Sequence, residues 1–177
     1  VERLNPYPVD ELVSILARAA GLLDFAIDEV AAHELARRSR GVPRVALRLQ
    51  RRVRDLAQVR GKPKIDLEIA REGLARLGID ELGLEDIDRA ILVALVDRNG
   101  EPVGIKTLAA CIGEEEDTLE SVYEPYLMQL GFLSRTPHGR VATARAWDHL
   151  GRTLPAHVAR DLERPGLMQG ELPFGSA

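Results

Sequence analysis

Apolar residues at helical spacing, in segments each stopped by glycine or proline, run through this chain from Asp10 to about Leu130. The clearest extended runs, FLSRT and RVATA, flank a single turn, TPHGR. A chain built this way must bury helix stripes against one another and can hold at most a small β element.

The first block, residues 10–78, reads as four helices. Asp10 is the expected N-cap of DELVSILARAAGLL, whose core stripe is Leu12, Ile15, Leu16, Ala19 and Leu23. Asp28 caps DEVAAHELARRS, which Gly41 stops. The third helix starts at Pro43 and runs to about Arg60, with Val45, Leu49, Val53 and Leu56 as its stripe. RGKPK is a turn, Asp66 caps DLEIAREGLARLG, and Gly78 closes it. The acidic IDELGLED reads as a linker.

The second block begins near Glu85. DIDRAILVALVDR is an amphipathic helix, PVG a short strand, IKTLAACIG a short helix ended by Gly113. EEEDTLESVYEPYLMQLG is longer, and Pro125 should kink or restart it. A β-hairpin with its tip at TPHGR follows, then ARAWDHL as a closing helix. From Gly151 the Gly- and Pro-rich tail is expected to be loosely packed. Helix, strand, short helix, longer helix and hairpin is the winged helix-turn-helix order.

Composition narrows the function classes. Of 177 residues, 45% are hydrophobic and 29% charged, which excludes a disordered chain. The net charge of −4 supplies no global field for nucleic acid, so any such binding must be local. Cys111 is the single cysteine; it excludes an internal disulfide and reads as a small core residue. No apolar run approaches membrane-spanning length, and VERLNPYP is neither a signal peptide nor a natural start, so a fragment of a longer protein is expected.

No complete catalytic site is visible. Gly61-Lys62 is followed by proline, so no phosphate loop exists, and G-x-G-x-x-G is absent. His33, His138, His149 and His157 are scattered without metal-ligand spacing, and the carboxylates are expected on solvated helix faces. Two places remain. At the start of the third helix Val42 is a poor cap and Arg44 lies in the first turn, where the helix dipole disfavours a cation by roughly 0.3–1 kcal/mol. An anion such as phosphate would satisfy both the open N–H groups and Arg44; the alternative is that Arg44 pairs with a nearby carboxylate or water. Arg48, Arg51, Arg52 and Arg54 extend the basic face, which suits solvent, another subunit or nucleic acid; without aromatics among them, the first two are favoured. At the hairpin tip, Arg135, His138 and Arg140 surround Pro137 and Gly139. The helix expected to read DNA begins EEEDTLE and would be repelled by phosphate, so the wing is the candidate for sequence-independent DNA contact.

ARRSRGVPR followed by RVALRLQRRVRDLAQV, and then EEEDTLESVYEPYLMQLGFLSRTPHGRVATARAWDHLG, closely resembles the RuvB family of bacterial Holliday-junction branch-migration motors, over nearly the whole chain to about Gly151. The resemblance implies a mainly α fold: a four-helix AAA+ lid domain at 1–80 and a winged helix-turn-helix domain with a β-hairpin wing at 81–150; the tail at 151–177, beyond the resemblance, is expected from its composition to be flexible. It implies that Arg44 matches the sensor-2 arginine that reaches ATP phosphates, and that Tyr7 matches the tyrosine at the nucleotide base. Arg135 and Arg140 match wing arginines on DNA, with His138 beside them. The large ATPase domain, with the Mg2+ ligands and the surface for RuvA, would lie upstream, so these residues alone should not hydrolyse ATP. The implied whole is a homohexameric, ATP-dependent translocase on duplex DNA and Holliday junctions in the bacterial cytoplasm, with no membrane association. Three departures stand out: Val42 where the family has Thr, His138 where it has Arg, and RLNPY for RLEFY. The competing readings are a stand-alone winged-helix transcription regulator, the lid and wing of another AAA+ replication initiator or loader, and a module used only for protein interaction.

Overall fold

The computed structural model describes residues 6–162. The chain divides into two compact units, residues 1–86 and 87–177.

Among the described residues, the first unit is built from four helices and one short strand pair. They are α1 (Val9–Leu22), β1 (Ala26–Ile27), α2 (Glu29–Arg37), α3 (Pro43–Val59), β2 (Lys64–Ile65) and α4 (Leu67–Arg76). Leu12, Leu16, Leu35, Leu49, Val53, Ile69 and Leu74 form its buried centre, and alanines at 31, 32, 36, 46, 57 and 70 let the helices approach closely. Each fully buried Leu contributes roughly 1.5–3 kcal/mol.

Several expectations need correction. The cap position of α1 is Pro8, and Asp10 lies in the first turn, where its charge favours the dipole. Asp28 holds the cap position of α2 without capping it, because its carboxylate takes Lys64 Nζ at 2.8 Å instead. The buried stripe of α3 is Ala46, Leu49, Gln50, Val53 and Ala57, rotated from the expected set. Gln50 sits there half satisfied: its Nε2 donates to Leu16 O at 2.8 Å, while its buried Oε1 has no partner among the described residues. The turn at RGKPK leads into β2, which pairs parallel with β1 through Ala26↔Lys64 and Ile27↔Ile65. Two-residue strands leave no period-2 signal, so this pair is invisible in sequence. The last helix is as expected: Asp66 caps α4 and Gly78 follows with φ of 68°.

The second unit contains α5 (Asp86–Val96), whose first residue closes the preceding unit, and α6 (Ile105–Ile112). Next comes a helix in three parts: α7 (Glu116–Thr118), a π-turn at Leu119–Tyr123, and α8 (Glu124–Gln129). The hairpin strands β3 (Leu133–Thr136) and β4 (Gly139–Ala142) precede α9 (Ala144–His149) and α10 (Ala156–Leu162). Ile91, Leu92, Leu95, Leu108, Leu119, Leu127, Phe132 and Trp147 are buried. This is the winged-helix order.

The PVG strand reduces to one residue. Val103 exchanges two backbone hydrogen bonds of 2.8 Å with Arg140, adding a third edge to the hairpin. Gly139 makes that approach possible: its φ is 143°, and a Cβ there would lie 2.5 Å from Val103 O. Cys111, expected in the core, is exposed. The short α6 buries only Leu108 and Ala109, and Cys111 falls about 200° around the helix from Ala109. The tail also departs from expectation over its first part. Residues 156–162 are helical and Val158 is buried against Gly100. The remainder of the expected tail, 163–177, lies outside the described residues.

Candidate nucleotide and nucleic-acid contact sites

The first candidate lies at the start of α3. Val42 has extended backbone and offers no side-chain cap, Pro43 occupies the first turn, and no acid stands in that turn. Arg44 is exposed and makes no ion pair among the described residues. Among the described residues no carboxylate answers it, and at the helix start the Arg44 N–H is left open beside its guanidinium, since Pro43 has no N–H and Val45 and Ala46 donate to Val42 O at 3.0 and 3.1 Å. Further along, Arg48 reaches Glu85 at 3.1 Å and Arg54 pairs with Asp55 at 2.8 Å, while Arg51 and Arg52 make no ion pair among the described residues. Together with Leu47, these arginines and Asp55 line a shallow groove of about 570 Å³.

The backbone brings Tyr7 to the same corner. Its N–H donates to Gly41 O at 2.9 Å, three residues before Arg44. Gly41 has φ of 70°, and a Cβ there would come 2.4 Å from Pro6 Cβ, so glycine is required for this docking. The Tyr7 residue is 46% exposed.

The second candidate is the wing. Arg135 and Arg140 face each other as a register pair across β3 and β4. Two like charges in that position repel, and the fold answers with an acid that sequence reasoning missed. Glu124, at the start of α8, is fully buried. Arg135 donates from Nε to Glu124 at 2.7 Å and also from Nη2, and Arg140 donates from Nε at 2.5 Å. Arg140 Nη2 also donates to Glu120, which stands 3.9 Å from Arg135. Burial by itself would depress the Arg140 pKa, but the hydrogen bonds to Glu124 and Glu120 outweigh it and raise the value above that of an ordinary arginine.

The expectation that carboxylates lie only on solvated faces is therefore wrong for Glu124. It is wrong as well for Glu34, which is buried in a pair with Arg38, and for Asp88. A clue to Glu124 was present: it lies four residues after Glu120 and just before Pro125, inside an otherwise apolar run. The side chains differ in what they leave open. Arg135 is 46% exposed, Arg140 only 12%. His138 is exposed at the tip, its N–H donating to Thr136 Oγ1 at 3.2 Å. Among the described residues no group of three His, Cys, Asp or Glu could hold a metal ion, and no helix is long and apolar enough to cross a membrane.

Comparison with known proteins bears on both units. The family model described as the RuvB AAA lid domain matches residues 7–80, and that of the RuvB C-terminal winged helix domain matches residues 81–151. The Holliday junction branch migration complex subunit RuvB of Limosilactobacillus reuteri strain DSM 20016 is 51% identical over 156 residues, 88% of this chain and 46% of that protein. The same subunit from L. reuteri subsp. reuteri strain JCM 1112 gives the same figures. The solved structure of the Thermotoga maritima RuvB Holliday junction branch migration motor is 47% identical, with a TM-score of 0.82, over 86% of this chain and 51% of that one. The chain thus spans about half the length of the relatives it matches.

Proposed function

Since the chain belongs to the RuvB family, we propose that it is the C-terminal part of an ATP-dependent branch-migration motor, its first unit the lid over a nucleotide and its second the grip on DNA. The observation that carries the nucleotide half is Arg44: an exposed guanidinium without a carboxylate partner among the described residues, at a helix start that has neither a side-chain cap nor an acid. That guanidinium and the open Arg44 N–H beside it fit the phosphates of ATP, which a bidentate N–H pair and a backbone amide bind well. In this reading Arg44 holds the phosphates and Tyr7, docked on the Gly41 loop, stands at the base. ATP, when bound, supplies the free energy of phosphoanhydride cleavage. Arg44 converts the charge of the phosphates into a position of the lid. The Mg2+ ligands belong to the large domain, outside this chain, and so does the docking surface for RuvA. A homohexamer of the whole protein would encircle duplex DNA at Holliday junctions in the bacterial cytoplasm. The chain by itself then neither hydrolyses ATP nor holds it tightly.

In the DNA half, Arg135 and Arg140 lie on backbone phosphates, with His138 at the tip beside them. Such contacts position the protein without reading sequence. Two phosphate contacts give a log–log salt slope of only about −2. Fluorescence anisotropy of a labelled duplex with the Arg135→Ala/Arg140→Ala variant tests this. Binding should be weak in the parent chain, indifferent to sequence, and lost in the variant; unchanged binding would remove the wing from the interface. A transcription regulator finds no support, because the acids of the would-be recognition helix are engaged in holding the wing.

A further inference from the structure

The four charges at the wing cancel. Arg135 and Arg140 contribute two positive charges, Glu120 and Glu124 two negative ones, so the free wing presents little net field where it should meet a polyanion. The two acids are not equivalent. Glu124 is fully buried and bonds both arginines, so removing it would strand a partly buried guanidinium. Glu120 has a side chain 44% exposed and touches the outer side of the cluster, bonding Arg140 Nη2 and standing 3.9 Å from Arg135. A carboxylate and a phosphate present the same paired oxygen acceptors to a guanidinium. A phosphate arriving from solvent therefore finds its place already taken by Glu120.

We infer that Glu120 is an exchangeable stand-in for a DNA phosphate: it occupies the wing arginines in the free protein and leaves when duplex DNA binds, while Glu124 stays and keeps both guanidinium groups aimed outward. The inference rests on the wing being the DNA contact. It explains how Arg140, only 12% exposed, can still reach a phosphate: the acid that covers it is the one that departs. It also makes Glu120 a residue that sets DNA affinity without touching DNA. Exposed ion pairs are weak, and the penalty for breaking this one corresponds to about two- to fivefold in affinity.

The test is anisotropy of a fluorescein-labelled, mixed-sequence duplex with the 177-residue chain and five variants. Glu120→Gln should bind about two- to fivefold tighter than the parent. Glu115→Gln is the control for simple loss of negative charge; Glu115 is an exposed acid without an ion pair among the described residues, and its substitution should gain less. Placed in an Arg140→Ala background, Glu120→Gln should gain no more than Glu115→Gln does. Equal gains from the two acids, or a full gain from Glu120→Gln without Arg140, would overturn the exchange. Thermal melting checks that each variant folds. If Arg140→Ala does not, the comparison of Glu120→Gln with Glu115→Gln in the parent chain decides alone. The Arg135→Ala/Arg140→Ala variant separates the two ideas: parental binding there defeats the wing reading and the exchange with it, whereas lost binding beside a silent Glu120→Gln defeats the exchange only.

Discussion

The Asp66 carboxylate accepts the Ile69 amide at 2.9 Å and takes Lys62 Nζ at 3.4 Å. The backbone hydrogen bond is the chief cause of a pKa below the ordinary carboxylate value; desolvation opposes it, and Lys62 and Lys64 add to the lowering. A folded pKa that is depressed contributes stability above the unfolded pKa, and that stability is lost as pH falls through the folded value. Asp66→Ala should therefore melt at a lower temperature than the parent at pH 7, and the gap should narrow below about pH 4. Melts followed by circular dichroism across that range check it; a gap independent of pH would mean that the cap acts without its charge. Asp66 could be read from sequence because its partner lies three residues away. Asp28 could not, since the lysine that takes its carboxylate is 36 residues distant in sequence. Local chemistry is legible along a chain, whereas competition from a remote partner is not.

At the level of elements, the helix from Glu116 to Gln129 gathers what sequence periodicity handled best and worst. Pro125 was expected to interrupt it, and α8 does restart there. The way the helix adapts was hidden. Glu124 N–H reaches back five residues to Leu119 O, a π-turn, and Pro125 has no N–H that a regular turn would need. One wide turn shifts the residues after it around the helix, so Glu124 lands on the buried side with Leu119 and Leu127. A constant period of 3.6 cannot place it there, and the wing clamp was missed for that reason. The consequence is measurable. Glu124→Ala leaves Arg140 largely covered and without its main acceptor, and should cost up to about 3 kcal/mol in urea unfolding. Arg135→Ala removes a half-exposed partner while Arg140 still serves Glu124, and should cost less than about 1 kcal/mol. If the two variants unfold alike, Glu124 is not the hub of the wing.

For the molecule as a whole, the order of elements was legible because long amphipathic helices and one hairpin leave strong periodic signals, and the long RuvB-like stretches named the family directly. The two-residue parallel pair, the exposed side of α6 and the helix at 156–162 were not, being too short for any period to register. The residue on which the motor reading turns is Arg44, and here structure adds what sequence left open: among the described residues no carboxylate answers it. Its exposure also means that the lid does not need it to fold. Arg44→Ala in this chain should melt within about 0.5 kcal/mol of the parent, as surface substitutions do, or slightly above it once the cation leaves the positive end of the dipole. In a protein of the relatives' full length the same change should lower ATP turnover by about tenfold or more, because a preorganised phosphate contact is lost. Arg44→Lys should fall between, keeping the charge and losing the bidentate fork. Normal turnover with Arg44→Ala would return this arginine to an ordinary surface role, and the open start of α3 would then have no ligand to explain it.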